Sequence, residues 1–281
     1  MAACAKAWKG LRWANMLCIN LPGLERGMVI RMDKLVSIVV PVFNAGKYID
    51  DTVETVRNQS YRNWELLLVD DCSGDDSREK IEEWCRKDPR IRMIAKEKNQ
   101  GAAKARNTGM DLAAGRYIAF LDADDFWRPE KLEKQLEFME KKKAAFSFTG
   151  YEFGDEEGRE TGKRVAVPPE LVYKEALSRT VIFTSTVMFD LEKIKKDMIK
   201  MPAVASEDTA TWWKVLRGGY TAYGLDEVLT VYRRPEGSLS ANKLVAIKRI
   251  WNLYRNVEKL PLAYSMWNFA WWAMRATLRR L

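Results

Sequence analysis

From Leu35 to Leu121 the chain repeats one arrangement: a short apolar run, a polar turn, then a stretch with helical period. Runs this short, rich in β-branched residues and bounded by turn formers, read as buried strands. Val36–Val40, stopped by Pro41, Leu66–Val69, Ile91–Ile94 and Tyr117–Leu121 are such runs. Between them helices are predicted over about Tyr48–Gln59, Gly74–Arg86 and Ala102–Ala114, the first with Ile49, Thr52, Val53 and Val56 on one face. Strands that alternate with helices predict a parallel sheet covered on both sides. The expected class is therefore α/β, a mostly parallel central sheet flanked by helices.

The remaining chain is read more coarsely. A charged helix follows Arg128-Pro129 to about Lys142, and a longer strand runs from Ala144 to Phe153. Residues 155–162 form a polar hairpin or loop. Val181–Phe189 reads as a strand, with the hydroxyls of Thr184, Ser185 and Thr186 either lining a pocket or merely alternating along it. Ser206-Glu207-Asp208 leads into a helix that ends at Gly218-Gly219. Two short strands, near Tyr220–Gly224 and Leu229–Arg233, close the region, and from Ala241 the pattern is helical.

Composition narrows the chemistry. The 281 residues are 47% hydrophobic, enough for a sizeable core. There is no histidine, which removes any His base, Ser-His-Asp triad or His-ligated metal. Acid–base work near neutral pH then falls to carboxylates, Lys, Tyr or Cys. The four cysteines show no CxxC spacing, so a reducing, cytoplasmic compartment is expected. Net charge is +8, with a modest excess at both ends. Such a balance is compatible with nucleic acid, a membrane surface or anionic substrates.

Two acidic clusters end two of the apolar runs: Asp70-Asp71, and Asp122-Ala123-Asp124-Asp125. In one parallel sheet both converge on the carboxyl edge, where open α/β sheets bind ligands. Asp70-Asp71 alone would read as a turn or helix cap. Packed acids are costly unless a cation neutralises them. Mg²⁺ or Mn²⁺ carrying a diphosphate satisfies this, since such ions take oxygen ligands from one or two carboxylates and from phosphates. Neither GxGxxG nor GxxxxGK[ST] is present, so phosphates must be held in another way. Phe43 and Asn44, after Pro41, fall at the same rim; an aromatic there can stack on a base, although Phe43 taken singly reads as core.

Four segments in order, Val36–Asn44, Glu65–Ser73, Gly101–Gly109 and Tyr117–Asp125, resemble the successive signatures of family 2 inverting glycosyltransferases with the GT-A fold, of the type that builds bacterial cell-surface polysaccharide. Ser206-Glu207-Asp208 with Trp212-Trp213, and Tyr232–Ser240, are similar to that family's later motifs. The likeness covers about Leu35–Asn242 and implies a catalytic domain over 34–240, with a nucleotide-sugar half (34–127) and an acceptor half (128–240). It implies a UDP-sugar donor held by Pro41, Phe43, Asn44, Asp71, Lys104 or Arg106, Asp122 and Ala123. Asp124 would ligate Mn²⁺ or Mg²⁺. Asp208 would be the catalytic base, and Glu207 would orient neighbouring groups or bind the acceptor. The acceptor is a glycan or lipid-linked glycan. Of the adjacent Trp212 and Trp213, a quarter turn apart, one is expected in the core and the other on an acceptor sugar. Many relatives carry His where this chain has Pro235; Arg233 or Arg234 would then pair with the diphosphate, or lie as surface arginines.

Other readings differ in class. A polyisoprenyl-phosphate glycosyltransferase shares the nucleotide motifs, but the Glu207-Asp208 pair favours a hydroxyl acceptor. A nucleic-acid-binding module lacks an RNP-like motif or a dense basic stripe, so no nucleic-acid partner is expected. Intact Asp124 and Asp208 argue against an inactive nucleotide-sugar binder. At the ends, residues 1–33 read as a leader, either an extension before a start at Met28 or Met32 or an amphipathic surface helix. The tail, 241–281, places Trp267, Trp271, Met274 and Leu278 at helical spacing with Arg275, Arg279 and Arg280. It reads either as an interfacial helix, peripheral on the inner face of the plasma membrane, or as a helix packed on the domain.

Overall fold

The structure, a computed structural model, describes residues 34–234 and 243–278. The expectations for residues 1–33 and for Pro235–Ser240, including the boundary near 240, lie outside the described residues. The first half runs β1 (Val36–Val42), α1 (Ile49–Arg57), β2 (Trp64–Asp70), α2 (Ser77–Lys87), β3 (Ile91–Ala95), α3 (Ala102–Leu112), β4 (Tyr117–Phe120) and β5 (Phe126–Trp127). The second half runs α4 (Lys131–Lys142), β6 (Phe146–Gly154), β7 (Glu160–Val165), β8 (Glu170–Leu171), α5 (Tyr173–Leu177), β9 (Met188–Asp190), α6 (Lys196–Ile199), α7 (Glu207–Arg217) and β10 (Ala222–Arg233). Then come α8 (Lys243–Asn252), a π-helical turn over Leu253–Val257, and α9 (Leu262–Leu278).

One sheet unites all the strands, in the order β3-β2-β1-β4-β9-β6-β10-β5, with β7 beside β6 and β8 beside β10. The β3-β2-β1-β4 portion is parallel, with Val36 opposite both Trp64 and Tyr117. Sheet periodicity sorts the apolar side chains onto two faces. Val39, Leu67, Ile118 and Phe120 face a core that includes Ala103 and Met110 of α3. Ile38, Val40, Leu66, Leu68 and Ala119 face the opposite core, with α1 and with Ile81 and Trp84 of α2. Each such side chain is fully buried, a contribution of about 1.5–3 kcal/mol apiece. Helix α3 sits close to the sheet because it carries Gly109, where an added Cβ would lie 2.4 Å from Val39 Cγ1.

The acceptor half departs from the expectation in two places. Val181–Phe189 is not one strand: Thr184–Thr186 is a 3₁₀ turn, and only Met188–Asp190 pairs, antiparallel to β4. The two short strands foreseen near Tyr220 and Leu229 are one 12-residue strand, β10, whose register shifts between Leu225 and Thr230. Bulges there accommodate the polar Asp226-Glu227 that broke the apolar pattern.

Candidate active site

Because β1, β2 and β4 run parallel, their carboxyl ends share one edge, and a cleft of about 550 Å³ opens there. Pro41, Phe43 and Asn44 supply one wall from the end of β1, and Asp71 lies at the end of β2. Arg106 of α3 and the Asp122-Ala123-Asp124 run after β4 complete it. Phe43 is 50% exposed, so it stands at the lip and not in the core. Tyr48, Asn99 and Gly101 also line the cleft; Gly101 opens the third of the family-like segments, whereas Tyr48 and Asn99 read as ordinary helix start and turn in the sequence and gave no signal.

Much of the rim is built by the acids themselves. Asp71 accepts Lys96 Nζ on one carboxylate oxygen and the N–H groups of Gln100 (2.9 Å) and Gly101 (2.6 Å) on the other. Gly101, at φ +85°, is the residue before α3, and glycine takes that conformation without Cβ strain. Asp71 therefore shapes the loop into α3 while still lining the cleft, with one lone pair of Oδ1 left over. Asn44, in the left-handed region at φ 51°, accepts Gly74 N–H at 2.9 Å and donates its own N–H to Ser73 Oγ at 3.0 Å. Asp70 is buried and holds Arg78 Nε at 2.5 Å, a structural role.

Arg106 links the two halves of the site. It is buried, and one guanidinium nitrogen donates to Asp122 Oδ1 at 2.6 Å while another donates to Glu207 Oε1 at 2.9 Å. A planar fork presents its two arms to two carboxylates in a fixed geometry, which a flexible lysine ammonium does not. Glu207 and Asp208 occupy the first turn of α7, where the helix dipole favours acids, and Ser206 turns the chain into it at φ 60°. Asp208 Oδ2 accepts Thr184 Oγ1 at 3.2 Å. Burial and the neighbouring Glu207 push its carboxyl above the usual carboxylate range. A carboxylate held up in this way is poised to accept a proton.

The turn at Thr184–Thr186 ties Asp208 to the acidic loop. Next to Thr184, Ser185 Oγ donates to Asp125 Oδ2 at 2.5 Å and accepts Asp122 N–H at 3.0 Å. Asp125 is fully buried, its other oxygen taking Arg233 N–H at 3.1 Å, and burial with the Asp124 and Asp122 charges raises its carboxyl well above the usual range. Asp125 is thus committed to the fold. Asp124 is different. Among the described residues its carboxylate forms no ion pair; its own backbone N–H donates to it, and burial with the Asp122 charge pushes it up to about 6. A half-buried carboxylate with no cationic partner on an acidic edge fits a hard divalent cation. No group of three or more acidic, His or Cys ligands occurs among the described residues, so phosphate and water would complete the shell.

Several sequence expectations are corrected. Trp212 and Trp213 are both buried: Trp212 packs on Phe120, Phe146 and Phe189, and Trp213 stacks on Tyr254 at 5.4 Å and donates to Ala176 O. Helix α7 is covered on two sides, so a quarter-turn separation does not bring either ring to an acceptor. Lys104 is exposed on the first turn of α3 and does not line the cleft. Arg233 is buried between the rings of Tyr48 and Phe126, with Nη2 on Asp51 Oδ2 at 3.0 Å. Its charge partly offsets Asp124, but its side chain lies outside the cleft lining. Arg234 lies over Phe153, 5.3 Å from the ring centre. Neither arginine lines the cleft.

Comparison with known proteins agrees with this architecture. The sequence model of the glycosyl transferase family 2 matches residues 37–196. TuaG of Bacillus subtilis strain 168, a glycosyltransferase named for teichuronic acid biosynthesis, is 44% identical over 248 residues, covering 88% of this chain and 98% of that one. WfgD of Escherichia coli, a UDP-Glc:alpha-D-GlcNAc-diphosphoundecaprenol beta-1,3-glucosyltransferase, is 36% identical over 84% of this chain and 92% of its own length. Among solved structures, Staphylococcus aureus TarS 1–349 with UDP-GlcNAc superposes with a TM-score of 0.63 at 20% identity, covering 85% of this chain and 71% of that one. The mannosyltransferase PcManGT of Pyrobaculum calidifontis, in complex with GDP-Man and Mn²⁺, gives 0.63 at 18% identity over 85% of this chain and 73% of its own. At these identities the structural likeness speaks for the fold.

Proposed function

The chain belongs to glycosyl transferase family 2, and on that premise we propose that it is an inverting enzyme of surface-polysaccharide assembly that moves a sugar from a UDP-linked donor to a hydroxyl of a lipid-linked glycan. The observation that carries this is the Arg106 bridge: a guanidinium that lines the cleft donates to Asp122 after β4 (2.6 Å) and to Glu207, the neighbour of Asp208 at the start of α7 (2.9 Å). The donor and acceptor classes follow the relatives: WfgD uses UDP-Glc and a diphosphoundecaprenol acceptor, and TarS binds UDP-GlcNAc.

Phe43 at the lip of the cleft would offer a face to the uracil ring, and Asp122 and Ala123, which line the same cleft, would meet the ribose and donor sugar. Asp124 would hold Mn²⁺ or Mg²⁺, which when bound supplies Lewis-acid stabilisation of the departing diphosphate. Asp208, oriented by Thr184 and raised by burial, removes the proton from the acceptor hydroxyl as its oxygen attacks the anomeric carbon from the face opposite the leaving group. The new glycosidic bond forms as the bond to the diphosphate breaks, and the anomeric configuration inverts. Arg106 fixes Glu207, so that the acid beside the base is neutralised and positioned.

Two measurements test the reading. Asp208→Asn should lower kcat by about 10²–10⁴ with the fold intact by circular dichroism, and the wild type should lose activity on the acid side at a pH above that of an ordinary aspartate. Nucleotide sugars screened by thermal shift with Mn²⁺ should single out a UDP-sugar. Full turnover in Asp208→Asn, or stabilisation by GDP-mannose alone, refutes the assignment.

A further inference from the structure

We propose that the outward face of α9, with the exposed edge of α8, is a docking surface for an anionic phospholipid bilayer. Helix α9 has two unlike faces. One packs on the domain: Ser265 and Asn268 are buried, Phe269 and Trp272 lie against the core, and Trp272 Nε1 donates to Thr180 Oγ1 at 3.0 Å. The opposite face carries Ala263, Met266, Trp267, Ala270, Trp271 and Met274, the helical spacing of a single stripe. All are exposed, Trp267 by 62% and Met266 by 57%, and none bears a charge. On α8, Leu244 and Ile247 are exposed as well. The packed reading of this segment thus holds for one face of α9, and the interfacial reading concerns the opposite, exposed face.

A large solvent-facing apolar stripe marks an interaction surface. Its occupant is indicated by charge and by side-chain type. From Lys243 to Leu281 there are eight Lys or Arg residues and one acid, Glu258, a net +7 of the chain's +8. That one acid is turned inward onto Arg217 and Tyr173. Two copies meeting through this face would bring two strongly cationic segments together, whereas anionic headgroups complement them. Paired tryptophans (Trp267 and Trp271, ring centres 5.8 Å apart) suit the headgroup boundary, where an amphipathic ring meets both phases. No helix among the described residues is long and apolar enough to cross a membrane, so α9 would lie in the interface plane. The surface is independent of the reaction proposed above.

The test is cosedimentation of the full chain with vesicles of phosphatidylcholine, alone or mixed with phosphatidylglycerol, beside sedimentation velocity without lipid. Binding to the mixed vesicles at low salt, at least about tenfold above that to phosphatidylcholine and released by high salt, is expected. Trp267→Gln/Trp271→Gln should reduce it about tenfold or more with an unchanged thermal midpoint; Met266→Gln/Met274→Gln reads the same face if the first variant folds poorly. A chain that stays in the supernatant overturns the proposal, and so does binding undiminished in both variants. A dimer that the substitutions disperse, with no capture by vesicles, assigns the face to a second copy and overturns it too.

Discussion

Replacing Arg106 by methionine preserves much of the stem and removes the fork that joins Asp122 to Glu207. The arginine side chain is 6% exposed, and its two carboxylate partners are 26% and 22% exposed. Removing one partner of a buried pair costs about 3–5 kcal/mol, since the other charges remain desolvated. Water reaches both acids in part, so the lower end applies, about 3 kcal/mol. That corresponds to a thermal midpoint lower by roughly 6–12 °C at 2–4 °C per kcal/mol. Urea denaturation should show the loss as a lower midpoint at constant slope. In a Glu207→Gln background the same change should cost less, by a coupling of about 1–2 kcal/mol. Catalysis provides an independent reading. Arg106 holds the Asp208 carboxyl down against burial and Glu207; without it that carboxyl rises further, and the acid limb of the pH–rate profile moves to higher pH. If Arg106→Met unfolds within about 0.5 kcal/mol of wild type and its profile does not move, the bridge does not join the two halves energetically and the reasoning fails.

Asp124, pushed up to about 6 from a usual value near 3.8, binds a proton in the folded state that the unfolded chain has already released. Stability therefore falls as pH rises through that window, and Asp124→Asn should add on the order of 2 kcal/mol at neutral pH in metal-free buffer, with little gain below about pH 4. Destabilisation at neutral pH, read by urea denaturation, would show that the fold satisfies this carboxylate. Gly109→Ala should cost about 1–2 kcal/mol, because overpacking against Val39 at 2.4 Å outweighs the gain in helix propensity; an unchanged urea midpoint would show that α3 can shift away from the sheet.

The first half was legible in the sequence because its strands are buried on both faces. Leu66–Val69 and Tyr117–Leu121 read as continuous apolar runs, as does Val36–Val40 apart from Ser37, and parallel pairing then places Pro41, Asp71 and Asp122 on one edge. Acidic residues at those ends marked the cleft. The acceptor half was less legible for physical reasons. Strand β10 carries Asp226-Glu227 at a bulge, so its apolar pattern breaks where its pairing shifts register. Hydroxyls at Thr184, Ser185 and Thr186 look the same in a strand as in a 3₁₀ turn, and only the turn brings Thr184 to Asp208. Trp212 and Trp213 misled because one-sided burial is the common case for a helix, while α7 lies between the sheet aromatics and Tyr254. Arg233 is drawn inward by Tyr48, Phe126 and Asp51, which are distant in sequence.

Thr184 and Ser185 act as a short yardstick. Thr184 touches the Asp208 carboxylate and Ser185 touches Asp125 and the Asp122 N–H, so the span from the start of α7 to the loop after β4 is set by a single peptide link. Bond geometry tolerates little stretch there. On the mechanism proposed above, an enzyme gauged in this way changes its acceptor only by recutting its other walls, while the distance between these two anchors stays the same.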